Sequence, residues 1–184
     1  IPAGTFYSDP AAASAKVPLL LCTTTSEAAP SKTNAELEEV DRAGAIEILK
    51  SMRGFGGAVS NPEAAFDAYM QVFPDQKPID AVGLIFSSRV GAVNTANAKH
   101  VQEAPVYMAW FGMNSPLFDG RMRAPHCADI CYWFMNTDRM VTHTGGGARP
   151  RNLSKKMAGA LLAFMRTGNP NVKGVVLHID SPGG

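Results

Sequence analysis

The sequence predicts an α/β fold, because two strand-length apolar runs flank a long stretch with helical periodicity. The 184-residue chain is long enough for one domain with a hydrophobic core. Residues 17–22 (VPLLLC) and 105–111 (PVYMAWF) are almost continuously apolar. Such runs are typical of strands covered on both faces, as in a parallel sheet. Residues 31–101, which lie between them, carry apolar residues at helical intervals.

The composition is that of a globular protein, and its charge balance favours a small, neutral partner. Hydrophobic residues make up 46% of the chain, and 17 basic residues face 16 acidic ones, a net charge of +1. This balance does not predict binding to nucleic acid or to an anionic membrane. The longest apolar runs are far shorter than the ~20 residues of a membrane span. The chain begins at Ile1 with no signal-peptide pattern, and we interpret this start as mid-domain sequence. The sequence does not predict the cellular compartment.

Four helix starts are predicted within residues 31–101. The start signals are Thr33 spaced from Glu36 as in a capping box, Asn61 before Pro62, Pro78, and Ser88. Pro74 should end the second helix, whose stripe of Phe66, Met70 and Phe73 predicts core packing rather than substrate contact. These helices form an excursion of about 70 residues between the two strands.

A last helix is predicted after the second strand. Its apolar positions are Leu153, Met157, Leu161, Phe164 and Met165. The run 168–170 (GNP) places a glycine and then a proline at its end, which is typical of a helix stop.

The three cysteines do not predict a disulfide framework or a metal centre. Cys22, Cys127 and Cys131 are odd in number, and two nearby thiols are too few for a closed zinc site. We therefore expect buried free thiols, with no metal and no organic cofactor.

Two ionisable residues follow the predicted strands: Glu27 follows the first, and His126 lies in the loop after the second. A carboxylate that orients an imidazole beside an attacking group is the logic of a hydrolytic triad. On spacing alone, a solvated loop glutamate and a structural or exposed histidine remain the commoner explanations.

Three segments, in order, resemble one family. Residues 104–111 (APVYMAWF) and 119–134 (DGRMRAPHCADICYWF) resemble the histidine loop of type-B carboxylesterases, a group that includes para-nitrobenzyl esterases and cholinesterase-like proteins. Residues 17–27 (VPLLLCTTTSE) resemble the acid loop of that family, and residues 162–171 (LAFMRTGNPN) resemble its Phe-Ala-x-Thr-Gly-Asp-Pro-Asn helix end. The likeness covers roughly residues 1–171.

The resemblance implies a fold, an activity and two site residues. The fold would be the C-terminal part of an α/β-hydrolase, with a helical insertion between the acid-bearing and histidine-bearing strands. Glu27 would be the triad acid and His126 the general base for the hydrolysis of small carboxylic esters. Asp129 stands where the family has a structural glutamate, and the intervening helices would form part of the pocket wall.

The sequence also departs from the family pattern. Ala28 replaces a glycine that the family's acid turn would need for its backbone angles, and Cys127 follows the histidine in place of glycine. Neither a Gly-x-Ser-x-Gly elbow nor a His-Gly-Gly-Gly oxyanion loop occurs in residues 1–171. We therefore expect an esterase part that is inactive alone and meets its serine on the N-terminal part of the same enzyme. A non-catalytic fragment or binding module is the rival hypothesis.

Residues 172–184 (VKGVVLHIDSPGG) leave the family pattern and predict a strand followed by a tight turn, so we divide the chain at 171/172. The Ser181-Pro182-Gly183-Gly184 end resembles a motif of the signal peptide peptidase (protease IV) family. That resemblance would make Gly183 and Gly184 oxyanion donors of a serine peptidase rather than make Ser181 its nucleophile. Two other interpretations are a nucleophile elbow at Ser181 and a surface turn at a truncation or fusion point.

Overall fold

Two parallel strands form the sheet in the computed structural model, which describes residues 14–52 and 59–171. Strand β1 is Leu19–Thr24 and strand β2 is Val106–Phe111. They pair in register, from Leu19 opposite Val106 to Thr24 opposite Phe111. The predicted parallel strands are therefore confirmed, with the first displaced by two residues toward the acid loop.

Helices fill the chain between and after the strands. Between them lie a 3-10 helix (Ala35–Glu39), α1 (Arg42–Ser51), α2 (Pro62–Val72), α3 (Pro78–Ile85) and α4 (Arg89–His100). After β2 come α5 (Ile130–Trp133), a 3-10 helix (Thr137–Arg139), α6 (Val141–Thr144) and α7 (Ala148–Thr167). The helical stretch between the strands is confirmed, whereas its status as an insertion in a larger fold stays a prediction. Within the described residues, no helix is both long enough and apolar enough to cross a membrane.

Most predicted helix ends are confirmed, but the first start is wrong. The side chain of Asn61 caps α2 by accepting from Ala64 N at 3.1 Å, and Gly168 ends α7 with a left-handed φ of 72°. Thr33 starts no helix. Asn34 caps the 3-10 turn instead, and α1 begins only after Asp41, whose carboxylate reaches Gly44 N at 2.8 Å. Asparagine and aspartate are the better caps, since their side-chain oxygens reach the free N–H groups without strain.

The sheet is covered on both faces. Helix α4 packs against one face, where the Arg89 guanidinium lies 4.2 Å from the Trp110 ring centroid. Helix α7 covers the other, with Met157 in the core around Phe111 and the Phe164 ring edge-on to Tyr107. Met165 does not belong to this packing face, because 71% of its surface is exposed. The small side chains of Ser154, Ala158 and Ala160 are buried, and the Ser154 hydroxyl donates to the Tyr132 carbonyl at 2.8 Å, so that α7 packs closely against α5.

A second core lies among helices α1, α2 and α3. Its buried members are Ala45, Ile46, Leu49, Phe66, Ile79, Ala81 and Val82. Phe66 is 3% exposed and Met70 packs against the cluster, which confirms core packing for these two, whereas Phe73 contacts the Tyr69 and Trp110 rings. This core joins helices α1, α2 and α3, and the 3-10 helix before them, into one packed unit, which we call the helical body. The loops beyond the strands can pack against it.

An ion cluster centred on Arg123 ties the loop after β2 to the helical stretch. The guanidinium donates to both carboxylate oxygens of Glu38, at 2.6 and 2.8 Å, and to Asp80 at 2.5 Å. The three side chains are only 14%, 15% and 20% exposed. A bidentate pair with so little solvent contact is stronger than a surface ion pair.

Acidification should weaken the fold through Glu38. Hydrogen bonds from Arg123 lower the pKa of Glu38 from 4.5 to about 2. Because this pKa is depressed in the folded state, the stabilisation is complete above pH 4.5 and is lost as the pH falls toward 2. We expect the free energy of urea unfolding to fall over this range, and to fall less in Arg123→Met. Equal pH slopes in the two proteins would contradict the prediction.

The loop after β2 holds several residues with left-handed backbone angles. Cys127 has φ 64°, and Phe118, Asp119 and Arg123 have φ between 49° and 55°. In the acid loop, the left-handed residue is Ala29 (φ 39°) and not Ala28, so the expected strain at Ala28 is wrong. The acid turn makes its left-handed step one residue later, at a buried alanine.

Glycine at position 127 should stabilise the protein. A side chain in the left-handed region costs about 1 kcal/mol relative to glycine, and the exposed Cys127 side chain loses little packing. We expect Cys127→Gly to raise the free energy of urea unfolding by about 0.5–1 kcal/mol. Ala28→Gly is the matched control and should lower it, because position 28 has no left-handed angle. A lower free energy of unfolding in Cys127→Gly would contradict the inference that Cys127 is strained.

Candidate active site

The two predicted site residues meet at one edge of the sheet. Strands β1 and β2 run parallel, so their carboxyl ends lie side by side and both loops leave from there. Backbone hydrogen bonds continue the contact past the strands, from Ser26 N to Ala124 O at 3.1 Å and from His126 N to Glu27 O at 3.2 Å. The acid loop therefore holds the main chain of the histidine loop directly.

The side chains of Glu27 and His126 form a short hydrogen bond. Nδ1 of His126 lies 2.6 Å from Oε2 of Glu27. An ionised carboxylate only accepts, so this bond requires a proton on Nδ1 and leaves Nε2 of a neutral ring as an acceptor. The glutamate side chain is 16% exposed and the histidine side chain 67% exposed. The pair is thus a sheltered carboxylate that orients an accessible imidazole.

The second carboxylate oxygen of Glu27 faces helix α4. Ser88, the residue before that helix, donates its hydroxyl to Oε1 at 3.3 Å. This distance is longer than the 2.5–3.0 Å typical of O–H···O bonds, so the contact orients the carboxylate only weakly. Both oxygens nevertheless have a partner.

Helix α3 packs closely against the acid loop at Gly83. A Cβ built on Gly83 would lie 2.5 Å from Oγ of Ser26, the neighbour of Glu27. A glycine is therefore required in the middle of α3 so that the helix can rest on this buried loop. The hydroxyls of Thr23, Thr24 and Ser26 are buried and have no hydrogen-bond partner among the described residues.

Asp129 is not a member of the hydrogen bond between Glu27 and His126. Its carboxylate accepts from the indole Nε1–H of Trp133 at 2.9 Å. Burial, reinforced by the negative charge of Asp129, raises the pKa of the nearby Cys22 thiol to about 12. Cys22 thus stays protonated near neutral pH and is no candidate for a thiolate nucleophile.

The cysteines differ in exposure. Cys131 is buried as expected and Cys22 is half-buried, but Cys127 is exposed, which corrects the expectation of three buried thiols. Cys127 directly follows His126 and has a left-handed backbone angle. Within residues 14–52 and 59–171, no cluster of three or more His, Cys, Asp or Glu side chains could hold a metal ion.

A groove runs along the sheet face that α7 covers. Its volume is about 390 Å³, and its walls include Cys22, Tyr107, Trp133, Met157 and Asn171. Neither Glu27 nor His126 lines it, so we do not assign it to the substrate. The tail 172–184, with its Ser181-Pro182-Gly183-Gly184 end, lies outside the described residues.

Sequence reasoning found both members of the pair but missed the residues that hold them. The sequence predicts Ser88 only as a helix start, and it predicts no role for Gly83 or Arg123. Their roles depend on contacts with residues 43 to 85 positions away, as between Arg123 and Asp80 or Glu38. Nothing in the local sequence around Arg123 reveals these partners.

Comparison with known proteins gives structural matches only. No protein-family model and no curated protein matches the chain. An esterase from Clostridium hathewayi, described as able to hydrolyse aliphatic aromatic polyesters, matches with a TM-score of 0.59 and 26% identity over 86% of this chain. A PNB (para-nitrobenzyl) esterase matches with a TM-score of 0.54 and 20% identity, also over 86% of this chain.

These matches support the fold and show what share of each matched esterase the chain spans. The chain spans only 30% and 31% of the two esterases. Neither match supports the resemblance of the tail to signal peptide peptidases, whereas both agree with the resemblance to carboxylesterases. The chain therefore has a carboxylesterase-like α/β fold that corresponds to about a third of such an enzyme, and its structural relatives are ester hydrolases.

Proposed function

We propose that this chain supplies the acid and the base of a serine carboxylic ester hydrolase, with Glu27 as the acid and His126 as the general base. The observation that carries the proposal is the 2.6 Å contact between Nδ1 of His126 and Oε2 of Glu27. It leaves the accessible Nε2 as the ring atom that can take a proton. The esterase fold of the structural relatives supports the same chemistry.

The pair would act by moving one proton. As a serine hydroxyl attacks the ester carbonyl, Nε2 of His126 would accept the hydroxyl proton and later return it to the leaving alcohol. The Glu27 carboxylate would hold the ring in the required tautomer and stabilise the imidazolium. Because the Glu27 side chain is only 16% exposed, little water competes for its oxygens.

The nucleophile would come from another segment of polypeptide. The sequence holds no Gly-x-Ser-x-Gly motif. The part of the matched esterases that this chain does not span is large enough to contain it. We propose that the N-terminal part of the same enzyme is this partner and that the substrate is a small carboxylic ester. The reaction needs no metal or organic cofactor, and the pair offers no reason to invoke nucleic acid or a membrane.

Replacing His126 should stop ester hydrolysis in any polypeptide that joins this chain to such a serine. Without the base, we expect kcat for para-nitrophenyl acetate to fall about 10²- to 10⁴-fold in His126→Ala, with a smaller change in KM. His143, an exposed histidine whose ring contacts Thr142, provides the matched control His143→Ala, which should keep full activity. Equal activity in the two variants would exclude His126 as the base and favour a binding module.

The chain by itself should not turn over esters. We expect para-nitrophenyl acetate hydrolysis no faster than that of its own His126→Ala variant, and no labelling by a fluorophosphonate probe. The physical reason is that none of its serines stands in a Gly-x-Ser-x-Gly motif, the sequence that forms the strained turn of such a nucleophile. A labelled serine in this chain would overturn the assignment of the nucleophile to another segment.

A further inference from the structure

Arg123 anchors the histidine loop three residues before His126. Its guanidinium is only 14% exposed and binds Glu38 with two nitrogens, at 2.6 and 2.8 Å, and Asp80 with Nε at 2.5 Å. Glu38 belongs to the 3-10 helix and Asp80 to α3. One side chain of the loop thus contacts two elements of the helical body at once.

The same anchor reaches the acid loop. Nη1 of Arg123 donates to Oγ of Ser31 at 3.0 Å, and Nε of Arg121 donates to the Ser31 carbonyl at 3.2 Å. Ser31 lies four residues after Glu27, is fully buried, and also donates its hydroxyl to Glu38. The two loops that carry the pair are therefore joined by these side chains as well as by the backbone hydrogen bonds described above.

The backbone of the histidine loop needs such an anchor. Arg123 itself has a left-handed φ of 49°, and Cys127 has φ 64°, so strained residues lie on both sides of His126. Non-glycine residues keep such angles only where surrounding contacts hold them. The short, charge-assisted hydrogen bonds of Arg123 provide such contacts between this loop and the helical body.

We propose that Arg123 is a positioning residue, whose ion pairs with Glu38 and Asp80 hold the imidazole of His126 against Glu27. The catalytic meaning of this role rests on the proposed function, but the geometric claim can be tested without ester turnover. If the anchor is released, the strained loop relaxes and the distance between Nδ1 and Oε2 grows. If the ion cluster only stabilised the fold, its removal would lower the free energy of unfolding and leave the His126 ring bonded to Glu27.

The test is the tautomer of the His126 ring, read by ¹⁵N and ¹H NMR of the full chain at about pH 9, where imidazoles are neutral. An unpaired neutral imidazole favours the proton on Nε2, whereas the bond to Glu27 requires it on Nδ1. Loss of the signal in His126→Gln assigns it among the four histidines. The wild-type ring should show a low-field Nδ1 proton that disappears in Glu27→Ala.

Arg123→Gln should lose the Nδ1 proton signal and shift the ring nitrogens toward the Nε2–H tautomer, at a temperature where the chain remains folded. Arg123→Lys keeps the positive charge but lacks the planar guanidinium that binds a carboxylate with two nitrogens. Its Nδ1 proton signal should lie between those of Arg123→Gln and the wild type. Arg42→Gln is the matched control, because Arg42 makes a similar bidentate pair with Asp67 between α1 and α2. Its ring signal should equal that of the wild type.

The outcomes separate the two proposals. An unchanged His126 signal in folded Arg123→Gln would overturn the positioning role and leave the Glu27–His126 pair intact. Absence of the Nδ1 proton in the wild type would instead overturn the pair, and with it the proposed function. If Arg123→Gln does not fold, Glu38→Gln decides, since it removes the charge from the anchor but keeps a hydrogen-bonding oxygen. We then expect a weakened Nδ1 signal, and an unchanged one would again refute the role.

Discussion

The parallel pairing of β1 with β2 is the constraint on which the rest of this structure depends. Two parallel strands end at the same edge of a sheet, so the loops after Thr24 and Phe111 start side by side although 87 positions separate them. Packing on both sheet faces, by α4 on one and by Met157 and Phe164 of α7 on the other, holds the two strands in this register. The contact between Glu27 and His126 is a consequence of that register.

Pairing alone does not place a side chain to within a hydrogen bond. His126 lies 15 positions beyond β2, at the end of a loop with several left-handed residues. That loop is held from two directions, by backbone bonds to the acid loop and by the Arg123 anchor to the helical body. The long helical stretch between the strands thus does more than connect them, since Glu38 and Asp80 come from it. A local substitution in that stretch can therefore act on the site.

Periodicity and end signals predicted the elements well, because helix and strand formation depend on residues close in sequence. Asn61 with Pro62, and Gly168, mark helix ends that the structure confirms. The errors concern single positions and one helix start rather than whole elements. Met165 fits the helical stripe yet is exposed, and the strain expected at Ala28 occurs at Ala29. The site residues came from the order of strand ends and a family resemblance, but the anchor pairs residues far apart, which spacing cannot show.

The central claim is that Glu27 and His126 interact, and a double-mutant cycle measures this most directly. Urea unfolding of the wild type, Glu27→Ala, His126→Ala and the double variant near neutral pH gives the coupling free energy of the two side chains. Because the imidazole is 67% exposed, we predict a modest coupling of about 0.5–1 kcal/mol. A coupling indistinguishable from zero would mean that the two residues do not pair in solution, and the proposed site would not stand.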